Sequence, residues 1–238
     1  MRALVTGGSG AIGQAISRSL GAAGHEVWIH ANGGIERAES CAQAIREAGG
    51  TAHSIAFDVT DPDAADAAIA RILADGPVQI LVNNAGIHDD APMAGMSRQQ
   101  WKRVLDVTLD GFFNVTQPLL MPMIRTRWGR IVNVSSVAAI MGNRGQVNYA
   151  AAKGALNSAT KALALEVATR GITVNAVAPG IIATPMTAAL FDASAIERLV
   201  PLNRAGLPEE VAAVVAFLVS DEASYVTAQI ISVSGGMA

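Results

Sequence analysis

The sequence contains 238 residues with a mass of 24.5 kDa, which is enough for one large hydrophobic core and short for two domains. Hydrophobic residues make up 51% of it and charged residues 16%, which excludes a disordered chain and suits helices packed on a buried sheet. The net charge of −3 and the isoelectric point near 5.8 exclude a general attraction to nucleic acid or to an anionic membrane.

The features that bear on cellular location favour the cytoplasm. The first eight residues lead directly into an apolar strand, so we expect no cleavable signal peptide. The single cysteine, Cys41, has no partner for an internal disulfide, which is typical of an inert thiol in a reducing compartment. The longest clean apolar run, residues 211–219, is too short to span a bilayer.

Short apolar runs alternate along the chain with longer helical patterns, two of which end at Gly24 and Gly76. Most of the runs are apolar along their whole length, as expected for parallel strands covered on both faces. The alternation predicts an α/β fold: one Rossmann-type, doubly wound sheet of about seven parallel strands in a single domain over residues 1–238. The predicted strands are residues 3–6, 26–30, 52–57, 80–83, 130–135, 173–178 and 230–233.

A glycine-rich loop, T-G-G-S-G-A-I-G, follows the first strand and opens the first helix. Gly8, Gly10 and Gly13 satisfy the G-x-G-x-x-G pattern in this strand–turn–helix context. Glycines let the backbone approach a pyrophosphate, and the free N–H groups and dipole of the helix N-terminus stabilise its charge. The loop therefore predicts dinucleotide binding.

The end of the second strand bears on the choice of dinucleotide. Proteins that bind NAD usually carry an acid there, hydrogen-bonded to the adenosine ribose, but this strand ends in H-A-N-G-G with no carboxylate before Glu36. The missing acid removes a repulsion toward a 2′-phosphate, so NADPH is favoured over NADH. Arg37 either reaches that phosphate or is a solvated helix residue.

Polar residues end two other predicted strands at the carboxyl edge of the sheet. N-N-A-G occupies residues 83–86, and G-R-I-V-N-V-S-S-V-A-A ends a strand with two serines, Ser135 and Ser136. Polar side chains at the ends of buried strands are costly unless they are hydrogen-bonded or face a ligand. The pattern indicates a ligand site at this edge.

Tyr149 and Lys153 are four residues apart on a predicted alanine-rich helix, so they share one helical face. A phenol has a pKa near 10, which is a poor match for proton transfer at neutral pH. An ammonium about 4 Å away, at an effective dielectric constant of ~20, would lower that pKa by roughly three units. The pair is either this proton donor or an incidental pair on a surface helix.

Four ordered motifs resemble those of the short-chain dehydrogenase/reductase family over the whole chain: T-G-x(3)-[AG]-x-G, N-N-A-G, S-x(12)-Y-x(3)-K and a downstream P-G. Ser136 lies thirteen residues before Tyr149, which matches the family's substrate-orienting serine. The resemblance implies that Tyr149 protonates the carbonyl oxygen as hydride arrives from the nicotinamide. It also implies that Lys153 lowers the pKa of Tyr149 and holds the nicotinamide ribose, and that Ser136 hydrogen-bonds the developing oxyanion.

The same resemblance implies a set of cofactor contacts. Asp58 matches the adenine contact, residues 84–86 border the adenosine ribose, and residues 179–184 include the segment that clamps the nicotinamide. The implied contacts are Gly7, Ser9, Gly10, Ala11, Ile12, Gly13, Asn32, Asp58, Val59, Asn84, Ala85, Gly86, Tyr149, Lys153, Pro179, Gly180, Ile182 and Thr184. No metal ligand is implied.

Three positions depart from the family pattern. Thr108 stands where the family usually has an asparagine that is tied to a water relay reaching the lysine, in part through its backbone carbonyl. Thr108 keeps a carbonyl and a hydroxyl, so we expect an altered relay and count it with the catalytic residues. Ala11 replaces the commoner glycine, and Gly10 stands where many NADPH-using members have arginine.

Within the family, M-G-N-x-G-Q-x-N-Y-A-A-A-K and R-G-I-T-V-N-A-V-A-P-G are most similar to 3-oxoacyl-[acyl-carrier-protein] reductases of fatty-acid or polyketide and polyene synthesis. The similarity implies an acyl carrier protein as partner, with Arg127 and Arg170 as docking residues beside the active-site mouth. Two solvated arginines are the alternative interpretation. Another alcohol or sugar dehydrogenase of the family, and a non-catalytic nucleotide-binding subunit, remain alternative functions.

Two further expectations concern a lid and the assembly. Residues 181–207 contain Pro185 and Pro201, show little strand character and follow a strand's carboxyl end, where open α/β sheets bind ligands. We expect this segment to be a substrate lid. The resemblance implies a homotetramer in which the helices around Asp106 and Leu156 pair across subunits and the C-terminal S-G-G-M-A meets a neighbour.

Overall fold

The computed structural model describes residues 1–184, 187 and 192–238. Seven parallel strands form one sheet: β1 (Arg2–Val5), β2 (Glu26–Ala31), β3 (Thr51–Ala56), β4 (Ile80–Asn83), β5 (Gly129–Val134), β6 (Ile172–Pro179) and β7 (Ile230–Val233). Their order in the sheet is β3-β2-β1-β4-β5-β6-β7. Every strand lies within one residue of its predicted bounds, so the predicted α/β fold is confirmed.

The helices cover both faces of the sheet. They are α1 (Ala11–Ala22), α2 (Ile35–Glu47), α3 (Pro62–Leu73), α4 (Arg98–Leu105), α5 (Gly111–Thr126), α6 (Ala138–Met141), α7 (Val147–Val167), α8 (Ala193–Leu199) and α9 (Pro208–Val219). One core cluster joins the sheet to α1, α2 and α9, and a second joins it to α3, α5 and α7. A π-helical turn, Asp106–Asp110, connects α4 to α5.

Local sequence explains where the elements begin. Every residue of β5 and β6 is buried, which accounts for their largely apolar sequences. The polar exceptions are Arg130, Asn133, Thr173 and Asn175. Asp61 caps α3 by accepting hydrogen bonds from the backbone N–H groups of Asp63 and Ala64, at 3.0 and 3.1 Å. Ser97 and Gln100 form a reciprocal capping box that starts α4.

The strand order places the ligand crevice. The chain proceeds from β1 through β2 to β3 on one side, and from β4 to β7 on the other. The crossover connections on the two sides therefore diverge at β1 and β4, and ligands bind at the carboxyl ends of such a pair. Gly7 follows β1 and Asn84 follows β4 at this point.

The predicted lid falls in part on residues 185, 186 and 188–191, which lie outside the described residues. In the rest of the segment, Ile182 forms a parallel bridge with Gly206, and α8 lies between them in sequence. Its function as a lid stays a prediction.

Among the helices that the structure describes, none is long and apolar enough to cross a membrane. Cys41 is buried on α2, and burial raises the pKa of its thiol.

Candidate active site

A continuous cleft runs along the carboxyl edge of the sheet. It consists of two adjoining cavities of about 810 and about 620 Å³ that share Gly7, Gly10 and Gly86 in their walls. The larger cavity extends from the glycine loop toward the ends of β2 and β3, and the smaller one extends toward α7 and the residues after β6. The cleft is therefore long and has two chemically distinct ends.

The backbone of the glycine loop packs tightly against the start of α1, because its glycines have no Cβ atom at the points of closest approach. Gly7 has a φ of +60°, a left-handed conformation that favours glycine. A Cβ on Gly13 would lie 2.4 Å from the carbonyl oxygen of Gly7, so α1 packs against the loop only with glycine there. Gly10 begins α1 without a side-chain cap, which leaves the N–H groups of the first turn facing the cleft for an anion.

Asn84 holds the loop from the β4 side. Its Nδ2 donates hydrogen bonds to the carbonyl oxygens of Thr6 and Gly7, both at 3.0 Å. The Thr6 hydroxyl accepts from the backbone N–H groups of Asn84 and Ala85, also at 3.0 Å. The ends of β1 and β4 are thereby joined by side chains as well as by the sheet.

The larger cavity ends at residues that follow β2 and β3. Asn32 and Gly33 lie on one side and Asp58 and Val59 on the other, with Arg37 of α2 nearby. The Asp58 carboxylate accepts two hydrogen bonds from Thr60, from the backbone N–H and the hydroxyl, both at 2.8 Å. Side chains of α4 close the opposite wall: Arg98, Gln99, Lys102 and Arg103.

Ser136, Tyr149 and Lys153 meet at the other end of the cleft. The Lys153 side chain is buried, and its Nζ donates a 2.7 Å hydrogen bond to the carbonyl oxygen of Val134. That Nζ lies 5.8 Å from the centroid of the Tyr149 ring, so the two residues do share one helical face. The Ser136 hydroxyl accepts from the backbone N–H of Ala138 at 3.1 Å and is hydrogen-bonded to the Tyr149 hydroxyl.

Asn148 fixes the start of α7 and hence the position of Tyr149. Its Oδ1 accepts from the Tyr149 backbone N–H at 2.8 Å, and its Nδ2 donates to the carbonyl oxygens of Asp89 and Gln100, at 2.9 and 3.2 Å. Because Asn148 is fully buried, these bonds satisfy an amide that would otherwise be costly to place there.

Burial dominates the electrostatics of this end. It lowers the pKa of the Lys153 amine to about 8. Burial also raises the pKa of the Tyr149 phenol, and the charge of Asp90 raises it further, while the hydrogen bond with Ser136 lowers it. The sequence-based expectation of a lowered tyrosine pKa is therefore wrong for this structure, because it counted the attraction of the ammonium and left out the burial of the phenol.

All the residues implied as cofactor contacts line the cleft, and Ser136 lines it with them. Thr108 lies elsewhere. It is buried in the π-helical turn between α4 and α5, and no described residue accepts or donates a hydrogen bond at its hydroxyl.

Arg127 and Arg170 lie together but away from the mouth of the cleft. Arg127 Nη2 donates a 3.2 Å hydrogen bond to the carbonyl oxygen of Thr169, which brings the two arginines' segments side by side. Both residues precede strands, β5 and β6, whereas Ser136 follows β5. The six residues of β5 separate the two edges by roughly 20 Å. Within one chain, parallel strands therefore carry the two arginines and the catalytic cluster to opposite edges of the sheet. Docking of a carrier protein at these arginines stays a prediction.

Sequence reasoning did not identify several residues of the site. Thr6 could have been found, because a polar residue at the end of a buried strand is the same signal as Asn83. His30 carries the same signal, because it is the polar last residue of the predicted strand 26–30. The α4 side chains had no such signal, since only the packing of the helices brings them to the cleft. Within the described part of the chain, no group of three His, Cys, Asp or Glu residues is placed to hold a metal ion.

Comparisons with known proteins agree with this geometry. A family model described as "Enoyl-(Acyl carrier protein) reductase" matches residues 7–238. The 3-oxoacyl-[acyl-carrier-protein] reductase FabG of Aggregatibacter actinomycetemcomitans is 46% identical over 98% of this chain and 98% of its own length. The protein of the same name from Escherichia coli (strain K12) is 44% identical over 99% of this chain and 96% of its own.

A solved structure from Agrobacterium tumefaciens, provisionally assigned as a gluconate dehydrogenase, has a TM-score of 0.95 and 35% identity over 99% of this chain and 95% of that chain. The matches extend over nearly the whole sequence and coincide with the glycine loop and the Ser136, Tyr149 and Lys153 cluster. The chain therefore belongs to the short-chain dehydrogenase/reductase family, and its full-length relatives make it an oxidoreductase of the type that acts on a CH–OH/C=O couple with a nicotinamide dinucleotide.

Proposed function

We propose that this protein reduces a 3-oxoacyl thioester, carried by an acyl carrier protein, to the 3-hydroxyacyl thioester with NADPH. The observation that carries the proposal is the meeting of Ser136, Tyr149 and Lys153 at one end of a cleft whose other end is the glycine loop. The names of the full-length relatives support the substrate class. Fatty-acid synthesis, or a related polyketide or polyene assembly, in the cytoplasm is the pathway that fits these relatives.

The residues present fit a dinucleotide. The uncapped start of α1 and the close packing of Gly7 against Gly13 form a cradle that a Cβ would fill, as an approaching diphosphate requires. Asn32 and Asp58 would hold the adenosine part, and the segment from Pro179 to Thr184 would hold the nicotinamide. When bound, the nicotinamide supplies a hydride to the substrate's carbonyl carbon.

The preference for NADPH rests on the end of β2. Asn32, Gly33 and Arg37 line the cavity there, and none of them repels a 2′-phosphate. A Cβ on Gly34 would lie 3.0 Å from Nη2 of Arg37, so the guanidinium lies over this turn, beside the cavity. An arginine in that place can pair with a phosphate, whereas an acid would select the free ribose hydroxyls of NADH.

The chain's own residues then handle the charge and the proton. As the carbonyl carbon is reduced, negative charge develops on the substrate's oxygen, and the Ser136 hydroxyl donates a hydrogen bond to it. The raised pKa of Tyr149 keeps the phenol protonated at neutral pH, so it is ready to give its proton to the same oxygen. The Lys153 ammonium, held by the carbonyl of Val134, stabilises the phenolate that remains.

Carrier-protein docking at Arg127 and Arg170 requires a second subunit. Since both arginines lie at the edge of the sheet opposite to Tyr149, they can serve an active site only in a neighbouring chain. We propose a homotetramer that brings them to the neighbour's mouth. Exposed apolar side chains support a subunit interface on α5 and α7, since Phe113, Met121 and Leu165 are 62%, 53% and 79% exposed. Gel filtration or light scattering measures this mass directly.

The lid is also part of the proposal. Ile182, Thr184 and Thr187 line the same cavity as Tyr149, which supports a lid at this end of the cleft. Closure of the segment from 181 to 207 over a bound thioester would exclude water from the reacting carbonyl.

Two other reactions are suggested by the comparisons, namely reduction of an enoyl thioester and oxidation of gluconate. Enoyl reduction places the final proton on carbon, whereas the Ser136 and Tyr149 hydroxyls, which are hydrogen-bonded to each other, are close enough to contact one substrate oxygen together. This arrangement favours the carbonyl substrate. A non-catalytic nucleotide-binding subunit is a third alternative, and the intact cluster of three residues argues against it.

A substrate comparison tests the proposal. The purified protein is given NADPH or NADH with a short 3-oxoacyl thioester, NADPH with the matching trans-2-enoyl thioester, or NADP⁺ with gluconate. We expect the 3-oxoacyl thioester to be consumed with NADPH at a kcat/KM at least roughly tenfold above every other combination. Faster turnover of the enoyl thioester or of gluconate would overturn the assignment, and no turnover of any of them would favour the non-catalytic alternative.

A further inference from the structure

His30 lies inside the fold yet lines the nucleotide end of the cleft. It belongs to β2 and is 1% exposed, and its ring packs against that of Phe57 with centroids 4.2 Å apart. Both ring nitrogens have partners. Nδ1 is 3.0 Å from the backbone nitrogen of Gly7, and Nε2 is 2.9 Å from the carbonyl oxygen of Phe57.

These two partners fix the protonation state of the imidazole. The Gly7 N–H can only donate, so Nδ1 must accept and carry no proton. The Phe57 carbonyl can only accept, so Nε2 carries the proton and donates it. Neutral His30 therefore joins the loop after β1 to the end of β3 through a single ring.

The peptide groups on either side of Gly7 are held from opposite sides of the loop. His30 accepts from the N–H on the β2 side, while Asn84 donates to the carbonyl on the β4 side at 3.0 Å. Gly7 has a φ of +60°, a conformation that its neighbours must maintain. The side chains of His30 and Asn84 thus hold the loop in shape, and His30 is the ionisable one of the two.

We propose that His30 is a positioning residue of the cofactor site, which in its neutral form holds the Gly7 peptide in the shape that receives the dinucleotide, and which releases that peptide when it is protonated. The proposal rests on dinucleotide binding at this loop, as the proposed function requires. An imidazolium would point an N–H at the N–H of Gly7, so this hydrogen bond cannot survive protonation. Cofactor affinity then falls as the pH falls.

The surroundings of His30 determine the pH range in which it is protonated. Burial lowers the pKa of His30 below its ordinary value of 6.5, and the Phe57 carbonyl and the Asp58 carboxylate oppose that shift. The clamp is therefore complete above pH 6.5 and is lost as the pH falls through the lower value in the folded chain. Other charged groups line the same cavity from α2, α4 and the turn that follows α4: Arg37, Arg98, Lys102, Arg103 and Asp106.

Two variants separate the two hydrogen bonds of the ring. In His30→Asn, Oδ1 is attached to the same carbon as Nδ1 and can still accept from Gly7, but the side chain is too short to reach Phe57. In His30→Gln, the amide nitrogen takes the position of Nε2 and can still donate to Phe57, but the acceptor for Gly7 is lost. Neither replacement side chain, Asn or Gln, is ionisable, so residue 30 does not titrate in either variant.

The first measurement is amide hydrogen exchange of residues 6–10 in the cofactor-free protein at pH 7.5. We expect His30→Gln to accelerate exchange at Gly7 by about tenfold, as loss of one net hydrogen bond implies, and His30→Asn to stay within about twofold of wild type. Equal exchange in wild type and His30→Gln would overturn the clamp. Because no cofactor is present, this result does not depend on the proposed function.

The second measurement is the dissociation constant of NADPH, followed by nicotinamide fluorescence at pH 7.5 and 5.5. At pH 7.5 we expect His30→Gln to bind about tenfold more weakly and His30→Asn about as tightly as wild type. From pH 7.5 to 5.5 the wild-type constant should rise more than that of His30→Asn, because the other titrating groups of the site, including Lys153 and the ligand's own phosphate, are the same in both proteins. Equal weakening in both variants would show a packing role and overturn the proposal, and equal pH dependence in wild type and His30→Asn would overturn the protonation step. A wild-type protein that binds no nicotinamide dinucleotide would instead overturn the proposed function.

Discussion

Tyr149 and Lys153 occupy one face of α7. Burial raises the pKa of Tyr149 and lowers that of Lys153, so it favours the uncharged form of each side chain. Lys153, buried and bonded to the Val134 carbonyl, has a pKa of about 8, so most of the amine is still charged at pH 7. Tyr149 has a raised pKa and remains a phenol. The cluster therefore combines a protonated donor with a nearby cation, although the folded chain must hold that cation against its tendency to lose its proton.

This cation has a measurable cost to stability. Lowering the pKa of a lysine from 10.5 to about 8 implies a penalty of about 3 kcal/mol at pH 7, and the bond to Val134 offsets about 1 kcal/mol of it. We expect Lys153→Met to raise the free energy of unfolding at pH 7 by about 2 kcal/mol, and to abolish activity. Denaturant unfolding measures the difference.

The stability difference between Lys153→Met and wild type should depend on pH. Between pH 8 and 10.5 the unfolded chain binds more protons at this residue than the folded chain, so wild-type stability gains on the variant as the pH rises. The advantage of Lys153→Met should shrink over that range. Lys161→Met, at an exposed position of the same helix, is the control and should change little. A variant less stable than wild type at pH 7 would contradict the account.

At the scale of elements, much of the fold follows from the sequence because its strands carry an unmistakable signal. Parallel strands covered on both faces are mostly apolar, and β5 and β6 are buried at every position although each contains two polar residues. The glycine loop and the ends of β4 and β5 can also be recognised in the sequence, because glycine and polar residues differ clearly from the apolar residues of the strands. These features place the two ends of the cleft.

The parts that sequence does not reveal depend on packing or on direction. The π-helical turn around Thr108 has no propensity signal, and His30 becomes a loop contact only because β2 lies beside β1. The charge at Tyr149 depends on how deeply the phenol is buried, which spacing alone does not give. Arg127 and Arg170 were placed by resemblance, whereas the direction of β5 and β6 sets them at the far edge.

The π-helical turn leads to a prediction about Thr108. Its hydroxyl is buried and, among the described residues, has no hydrogen-bond partner. A relay through this residue would therefore use its backbone carbonyl. We expect Thr108→Val to be neutral or to stabilise the protein by up to about 1 kcal/mol, with kcat within about twofold of wild type. Thermal unfolding and steady-state kinetics measure both.

Thr116→Val is the matched control for that change. Thr116 is equally buried, but its hydroxyl accepts a 3.0 Å hydrogen bond from Nδ2 of Asn83, so its removal should cost about 1–2 kcal/mol. A Thr108→Val variant that is as unstable as Thr116→Val, or that loses tenfold or more in kcat, would show that the Thr108 hydroxyl does have a function.

At the scale of the whole molecule, the cleft and the two arginines proposed for docking lie at opposite edges of one sheet. Reversing the charge at both Arg127 and Arg170 should raise KM for a carrier-bound substrate severalfold, because carrier proteins are acidic, and should spare a small free ketone. Equal effects on the two substrates would contradict docking at these residues. Steady-state kinetics with both substrates makes the comparison.

Docking across subunits has a sharper test in mixed oligomers. Chains with Arg127→Glu and Arg170→Glu keep an intact catalytic cluster, and chains with Tyr149→Phe keep intact docking residues. If docking acts on a neighbour's cleft, refolding the two together should raise activity on a low concentration of carrier-bound substrate above the sum of the two variants measured alone. Activity no greater than the sum of the separate variants would contradict docking in trans.

The measurement that tests the account most directly is NADPH oxidation with a short free 3-oxoacyl thioester, in wild type and in Tyr149→Phe. The free substrate avoids carrier docking, and NADPH binding to each protein is measured beside it. We predict that the variant binds NADPH within about threefold of wild type and loses at least about a thousandfold in kcat, since it lacks only the hydroxyl that protonates the alkoxide. A variant that retains a tenth or more of wild-type kcat would contradict the central role of Tyr149.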